Sequence, residues 1–584
     1  MIIRVYYASE TGTAADVAEM LWRDCRARAL PATLAPVDSL ALTDLHALEF
    51  AVFVVATSGQ GEFPIHSREF WTRLRLKAIP SDYLAQLKYA VISLGDSSYQ
   101  KYNRAGRLLR ARLKSLGAGE VVPNALCNDQ HELGIDGALV PWREQFFEYV
   151  RASALFPGVL AEDDARLLLP PASKFELVDV DETEEAEEVP PAKPEPSDFS
   201  AVTVLANERV TSDEHFQDTR LITLDNTSGS LSYRPGDVLM VHPNNPEETV
   251  DIVIAALNYT DEQLDRRIRL RPTDANIKLP PRWMIGESTT LRECLRRVLD
   301  LQHIPKKSFF EILSKVSTDE MERDRLREFT LPENLDELLD YTTRARRTAA
   351  EVLRDFFRTA AGLPPQRLFD IFPTIRARAF SIASCPITHS AQVQLLVGKV
   401  EYKSRMADRR RGLCSTFLCR ADPGQQMFVR VRTGTFTMPA ESKPVICVGP
   451  GTGVAPFRSL LHYRNALSPT SPAPSMLFFG CRGRLTDYYF QLEWPLLKYN
   501  TTLVAFSRDQ PEKVYVQDVI ANEGEHVWRL IQQGGSILIA GSAGAMPKAV
   551  AEAIERIGRT NGGEEEGFVD RLEKLGRIQY ETWD

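Results

Sequence analysis

Residues 5–20 read VYYASETGTAADVAEM: an apolar run, a hydroxyl-rich loop and the start of an amphipathic segment. The loop is Ser9, Glu10, Thr11, Gly12, Thr13 and Ala14. Three hydroxyls beside the backbone N–H groups of a helix start suit a compact phosphate dianion. No lysine follows the glycine, so this is not the loop that cradles a nucleoside triphosphate. A capped strand–helix turn uses the same residue types, and the loop alone leaves both readings open.

Two further apolar runs decide between them. FAVFVVATS (50–58) and YAVISLG (89–95) read as buried strands, with helix-length segments between. That alternation predicts a parallel, doubly wound sheet, in which the loops at the strands' carboxyl ends gather over one crevice. The loops are Ala56, Thr57, Ser58 and Gly59, then Leu94, Gly95, Asp96, Ser97, Ser98, Tyr99, Gln100, Lys101, Tyr102 and Asn103. Tyr99 and Tyr102 can offer ring faces to a flat aromatic ligand, or can be half-buried packing. A phosphate loop, glycine-rich backbone and aromatic faces on one rim describe a pocket for FMN. Residues 1–155 resemble a flavodoxin, and the resemblance adds Asp129 of CNDQHELG to the site. Related reductases often place a second stacking tyrosine where this chain has Ser58, which leaves one flavin face more exposed.

At 584 residues the chain exceeds one hydrophobic core. No apolar run has the length of a membrane span, and MIIRVYYASE turns polar too early for a signal peptide, so the expectation is a cytoplasmic protein without a membrane anchor. Eight cysteines show no C-x-x-C pair and nine histidines no H-E-x-x-H pattern. This argues against zinc, a cysteine-held cluster or disulfides; if the protein is a redox protein, its redox groups are expected to be organic. Of the net charge of −9, the stretch 161–200 holds 13 acids against 3 bases, whereas the first 160 residues are balanced. No basic block points to nucleic acid. DETEEAEEVPPAKPEPSDF (181–199), with prolines 190, 191, 194 and 196, marks an acidic linker over 156–199, either a tether or a docking motif.

Past the linker, VTVLANERV, TRLITLDN and GDVLMVHP read as antiparallel strands. A helical stretch over about 247–370 follows, and strands resume at RARAFSIAS (376–384), which contains Arg378, Ala379, Phe380 and Ser381. RRGLCSTFL (410–418) supplies Gly412, Leu413, Cys414 and Ser415 before a helical stretch whose N-terminus can face a pyrophosphate. From 445 the chain alternates strand and helix again. VICVGPGTGVAPFRSLL (445–461) brings glycine backbone and Thr452 to a diphosphate, without the G-x-G-x-x-G spelling. In AFSRDQPEKVYVQ (505–517), Ser507, Arg508, Lys513, Val514, Tyr515, Val516 and Gln517 follow a strand end. Cations and donors there suit the 2′-phosphate of NADPH, where an NADH site favours an acid; a solvated loop is the plainer reading of Arg508 and Lys513.

R-A-F-S, then G-L-C-S, then G-P-G-T-G-V-A-P resemble, in that order, the ferredoxin-reductase family. The resemblance implies that Arg378 meets the FAD pyrophosphate, Phe380 packs on the flavin and Ser381 lies near its N5 atom. It also implies that Arg346 of TRARRTAAEV reaches FAD, with Tyr402 a further pocket residue. In QYETWD (579–584), Trp583 matches the aromatic residue that covers the FAD ring where nicotinamide must land; a hydrophobic plug is the alternative. Glu581 matches a position often held by aspartate, which with Ser381 orients nicotinamide and manages the flavin proton. Ala540 stands where many relatives carry a cysteine.

From end to end the chain resembles a diflavin reductase. The implied architecture is a multidomain α/β protein: a flavodoxin-like FMN domain (1–155), the linker (156–199), an FAD-binding antiparallel β-barrel with a helical insertion (200–440) and a ferredoxin-reductase-type NADPH-binding α/β domain (441–584). The implied path runs from NADPH through FAD and FMN to a protein acceptor. SETGTAADVAE, NDQHELG, HFQDTRLI, KKSFFEIL and ETWD are similar to the cytosolic NADPH-dependent diflavin oxidoreductases. That resemblance implies an anamorsin-type iron–sulfur protein as acceptor, in cytosolic iron–sulfur cluster assembly. A reductase of a haem protein, a sulfite-reductase flavoprotein and a flavin-bound stress-signalling scaffold without turnover are the other readings.

Overall fold

The computed structural model describes residues 1–10, 12–59, 61–99, 101–160, 173–180, 199–274, 277–467 and 473–583. Thr11, Gln100 and the prolines of the acidic stretch lie outside these residues. The chain divides into two compact units, one of Met1–Glu185, Glu247–Thr374 and Ser404–Ala407, the other of Ala186–Pro246, Ile375–Lys403 and Asp408–Asp584.

The first unit opens with a parallel sheet. Its order is Ala32–Pro36, Ile3–Ala8, Phe50–Ala56, Lys88–Gly95 and Gly119–Glu120, with Ala125–Asn128 also paired to Lys88–Gly95. Phe50–Val55 is buried at every position, as a strand covered on both faces must be. Helices Thr13–Ala27, Arg104–Ser115 and Asp136–Ala152 supply those covers. The expected doubly wound sheet is present, and its strands Ile3–Ala8, Phe50–Ala56 and Lys88–Gly95 end in the loops singled out above.

The stretch expected to be helical, about 247–370, is mainly helical, but it lies within Glu247–Thr374, which belongs to this same unit. One reason lies within the stretch read as linker. Phe175–Asp179 is a strand that pairs antiparallel with Ile268–Pro272, and the Lys174 N–H donates to Asp370 Oδ1 at 2.9 Å. Phe175 is buried and Leu177 half-buried, while Glu176 and Val178 are exposed, a strand's period-2 alternation in a segment whose surroundings are acidic. Arg26 on the first helix also pairs with Asp274 at 2.9 Å.

The described residues of the second unit form two large sheets, besides a short two-stranded pair of Glu401–Tyr402 with Arg410–Arg411. The first is antiparallel, in the order Arg378–Ser381, Val238–His242, Gln426–Arg432, Ser200–Arg209, Thr219–Asp225 and Gln392–Gly398. An Ile382–Leu395 bridge joins its two ends, closing a barrel and leaving no free edge. The second sheet is parallel, in the order Asn500–Phe506, Ser475–Cys481, Val445–Pro450, Ser536–Ser542 and Ile578–Trp583. Its central strands, Val445–Pro450 and Ser536–Ser542, are almost wholly buried. Among the described residues no helix is long and apolar enough to cross a membrane, and no cluster of three metal-ligating side chains occurs.

Candidate functional site

In the first unit the strand Ile3–Ala8 ends at Ser9, whose Oγ is buried and has no hydrogen-bond partner among the described residues. A hydroxyl in that state is costly unless a ligand accepts from it or donates to it. Gly12 takes φ 96° at the helix N-cap, a left-handed conformation that glycine adopts without the clash a Cβ brings. Among the described residues no side chain caps this helix, so the N–H groups of its first turn look to another acceptor. Glu10 turns away: its Oε2 accepts from Ile65 N at 2.9 Å and Ser58 Oγ at 3.3 Å, and so ties the first loop to the second.

The second and third loops are braced together. Thr57 N donates to Leu94 O at 3.0 Å, and Ala105 N to Thr57 Oγ1 at 3.3 Å. Asn103 is buried at φ 54° and donates from Nδ2 to Cys127 O at 3.0 Å. A Cβ on Gly95 would lie 2.6 Å from Asn103 Oδ1, which fixes glycine there. Tyr102 donates its hydroxyl to Leu126 O at 2.8 Å, and Tyr99, like it, is half-buried. Ser97, Ser98 and Lys101 are exposed. Burial works against the Asp96 carboxylate, but hydrogen bonds from Ser98 and Gln130 hold it below its usual range. Asp129 sits beside it with its carboxyl pushed up, chiefly by burial and opposed by the Lys306 charge. The sequence reading missed Asn128, whose Oδ1 accepts from Ser97 N and Gln130 N at 2.9 and 3.1 Å; its place beside Asp129 was the available signal. Arg346, elsewhere in this unit, is exposed with φ 58°, a conformation disfavoured for a residue with a Cβ.

In the second unit the barrel strand carrying Arg378, Ala379, Phe380 and Ser381 meets the last strand of the parallel sheet. Ser381 Oγ donates to Glu581 Oε1 at 2.7 Å, and Thr435 Oγ1 donates to Glu581 Oε2 at 2.9 Å. Burial raises the Glu581 carboxyl above its ordinary value, while these two hydroxyls and the Arg432 charge pull it back. Thr435 was not singled out from sequence, and RTGTFTMPA shows no motif to mark it. A Cβ on the neighbouring Gly434 would lie 1.8 Å from Gly236 O, so the backbone beside Thr435 admits only glycine.

Trp583 is paired with Ser542, and its carbonyl accepts from Ala543 N at 2.9 Å. The backbone at the tail is therefore ordered by the sheet itself, and a ligand is not required for that. The indole remains 36% exposed, free to lie on a flat partner. Arg378 and Ala379 are exposed and Phe380 half-buried.

At 412–415 the side chains serve the protein. Ser415 Oγ accepts from Val400 N at 3.1 Å and donates to Gly412 O at 3.3 Å. Cys414 lies in the barrel core with its thiol pushed up to about 12 by burial. What Gly412, Leu413, Cys414 and Ser415 can present to a ligand is backbone. Tyr402 is 43% exposed.

In the parallel sheet Gly451–Val454 forms a 3-10 turn after the strand. A Cβ on Gly453 would stand 2.2 Å from Ala540 O, so only glycine lets the turn approach the next strand. Thr452 is half-buried on that turn. Ser507 is buried and donates its N–H to Cys481 O at 2.9 Å, while Arg508 N donates to Arg482 O at 2.8 Å. These bonds hold the loop so that Arg508 and Lys513 are exposed. Val516 is in the core and Val514 packs against it, whereas Tyr515 is exposed and Gln517 half-buried. The expectation for 513–517 therefore splits: the valines pack, and Lys513, Tyr515 and Gln517 alternate outward.

Orphaned hydroxyl and N–H groups in one unit, and in the other a glycine-bound turn, exposed cations and a hydroxyl–carboxyl pair beside an aromatic, fit two flavins and a phosphorylated nicotinamide dinucleotide. They define a flavin- and nicotinamide-dependent oxidoreductase. Family models agree: residues 5–142 match flavodoxin, 194–417 an FAD binding domain and 447–552 an oxidoreductase NAD-binding domain. Relatives named NADPH-dependent diflavin oxidoreductase 1 align along the whole chain. That of Bos taurus is 39% identical over 99% of both chains, that of Danio rerio 37% over 100% of this chain and 99% of its own, and that of Arabidopsis thaliana 35% over 99% and 98%. The chain belongs to the NADPH-dependent diflavin oxidoreductase family, whose cofactors are FMN, FAD and NADPH.

Proposed function

We propose that the enzyme takes electrons from NADPH and delivers them to a protein acceptor, an anamorsin-type iron–sulfur protein of cytosolic iron–sulfur cluster assembly. With both flavins bound, electrons enter as a hydride at FAD and leave singly from FMN. The observation that carries the entry step is the Ser381–Glu581–Thr435 arrangement: a hydroxyl held on a buried carboxyl whose proton affinity is raised. Acceptor and cytosolic setting rest on the family resemblance.

In this reading Ser9, Gly12, Thr13 and Ala14 hold the FMN phosphate, and the loops 56–59 and 94–103 with Asp129 hold its ring. The orphaned Ser9 hydroxyl supports the first assignment. Arg378, Phe380, Tyr402 and the backbone of 412–415 hold FAD, with Trp583 on its ring. Arg346, whose left-handed backbone is a strained choice for arginine, is assigned to FAD by resemblance alone. Thr452 contacts the dinucleotide phosphates, and Ser507, Arg508, Lys513, Tyr515 and Gln517 the 2′-phosphate. Domains 1–155, 200–440 and 441–584 carry these three tasks. Reduction of purified anamorsin-type protein, a cytochrome and a sulfite-reductase haemoprotein under NADPH tests the acceptor. The proposal expects the first to be reduced fastest; equal or faster reduction of either haem protein contradicts it, and no NADPH oxidation with any acceptor favours a scaffold.

A further inference from the structure

Arg458 lies on the helix Ala455–Leu467, yet only 3% of it is exposed. Four of its five N–H donors reach oxygen. Nε and Nη2 grip the two oxygens of Glu493 at 2.7 and 3.0 Å, and Nη1 donates to Ala383 O at 3.1 Å and Gln394 Oε1 at 2.8 Å. The remaining Nη2 donor faces the His389 ring at 3.4 Å. Phe490 covers the guanidinium with its ring 4.4 Å away, and it does so from a left-handed backbone at φ 58°. Burying a charge so completely is costly unless its partners are fixed. Here the partners come from two sheets, since Ala383 and Gln394 belong to the barrel and Glu493 to the connection within the parallel sheet.

Ala383 is two residues from Ser381, on the same run of chain. Its N–H is taken by Gln394 O at 2.8 Å, and the next residue, Ser384, meets Tyr233 through their hydroxyls at 2.7 Å. Both ends of the Ala383 peptide are thus clamped, and the carbonyl end is clamped by the parallel sheet's arginine. The charges facing Arg458 are settled: Glu493 is held down at about 2 against the effect of burial, and burial with the Arg458 and His462 charges keeps His389 at about 4 and so neutral.

We propose that Arg458 is a positioning residue, setting the height and direction of Ser381 relative to Glu581 by tying the barrel strand to the parallel sheet. This rests on the hydride-entry role given to Ser381 and Glu581 above. Because small misplacement of a reacting group costs about 10- to 100-fold in rate, the tie is felt in the hydride step.

The test compares holoenzyme carrying Arg458→Gln with the double variant Arg458→Leu/Glu493→Leu, which replaces the pair with apolar groups and can recover stability. Anaerobic single-turnover reduction by NADPH, NADPH dissociation constant, visible circular dichroism of the bound flavins and thermal midpoint are read on both. The expected result is a hydride rate about 10- to 100-fold lower in both variants, with the dissociation constant within about threefold, flavin dichroism altered, and the midpoint recovered in the double variant only. A hydride rate that recovers with the midpoint, or flavin dichroism unchanged in Arg458→Gln, overturns the proposal. Should the unaltered enzyme fail to accept hydride, the entry step itself is wrong, and the dichroism then decides the Arg458 tie by itself.

Discussion

Ser381 Oγ lies 2.7 Å from Glu581 Oε1, across 200 residues of sequence and between two different sheets. Thr435 takes the other carboxylate oxygen, so Glu581 has both oxygens assigned and its position fixed. A hydroxyl so held can lie against a reacting atom and relay a proton through one carboxyl.

Removing that hydroxyl isolates its contribution. Ser381→Ala is expected to slow NADPH reduction of FAD about 10²–10⁴-fold, the usual range for a lost proton-transfer group, with flavin content unchanged. Stopped-flow absorbance measures it, and Thr435→Ala is expected to give a smaller loss in the same direction.

Glu581 also predicts a pH dependence. Its folded carboxyl is raised above the ordinary 4.5 by burial, so between the ordinary and the raised value the folded state binds more protons than the unfolded chain. Stability from this group is therefore complete at low pH and falls as pH rises through the raised value. Glu581→Gln is expected to remove that decline, and to remove the corresponding ionisation from the rate profile. Denaturation midpoints and single-turnover rates across pH check both.

Nicotinamide and the Trp583 indole compete for one flavin face in this account. Trp583→Ala is expected to tighten NADP⁺, lowering its inhibition constant, and to make product release slower. Product-inhibition kinetics decide it; a weaker NADP⁺ complex counts against the competition.

Arg508 is exposed while its backbone is pinned to Arg482. Losing a charged hydrogen bond to the 2′-phosphate costs about 1.5–3 kcal/mol, so Arg508→Ala is expected to raise the NADPH KM about 10- to 100-fold and to leave NADH kinetics unchanged. Steady-state comparison of the two dinucleotides reads this.

Gly453 leaves a prospective Cβ 2.2 Å from Ala540 O. Gly453→Ala is expected to destabilise the second unit by about 1–3 kcal/mol, the usual range for overpacking. Chemical denaturation followed by tryptophan fluorescence measures the change.

The loops were legible because their chemistry is local. A phosphate site needs successive N–H groups and hydroxyls, which must be neighbours in sequence, so 9–14 and 449–453 stand out as candidates. Thr435 and Arg458 work through partners far along the chain; Thr435 sits in no motif, and the glycine motif that contains Arg458 says nothing of its side chain. The strand Phe175–Asp179 was hidden differently: its apolar positions are few and lie among acids, and only its partner Ile268–Pro272 makes it a strand. Likewise the barrel's insertion was read as helical, but its membership of the first unit depends on long-range bonds such as Lys174 to Asp370.

The most direct measurement is the flavin content of the purified chain after acid release, paired with an anaerobic NADPH titration of the same sample. The account predicts one FMN and one FAD per polypeptide, both bleached by NADPH. Finding a single kind of flavin after reconstitution with both, or two flavins that NADPH leaves oxidised, would contradict it.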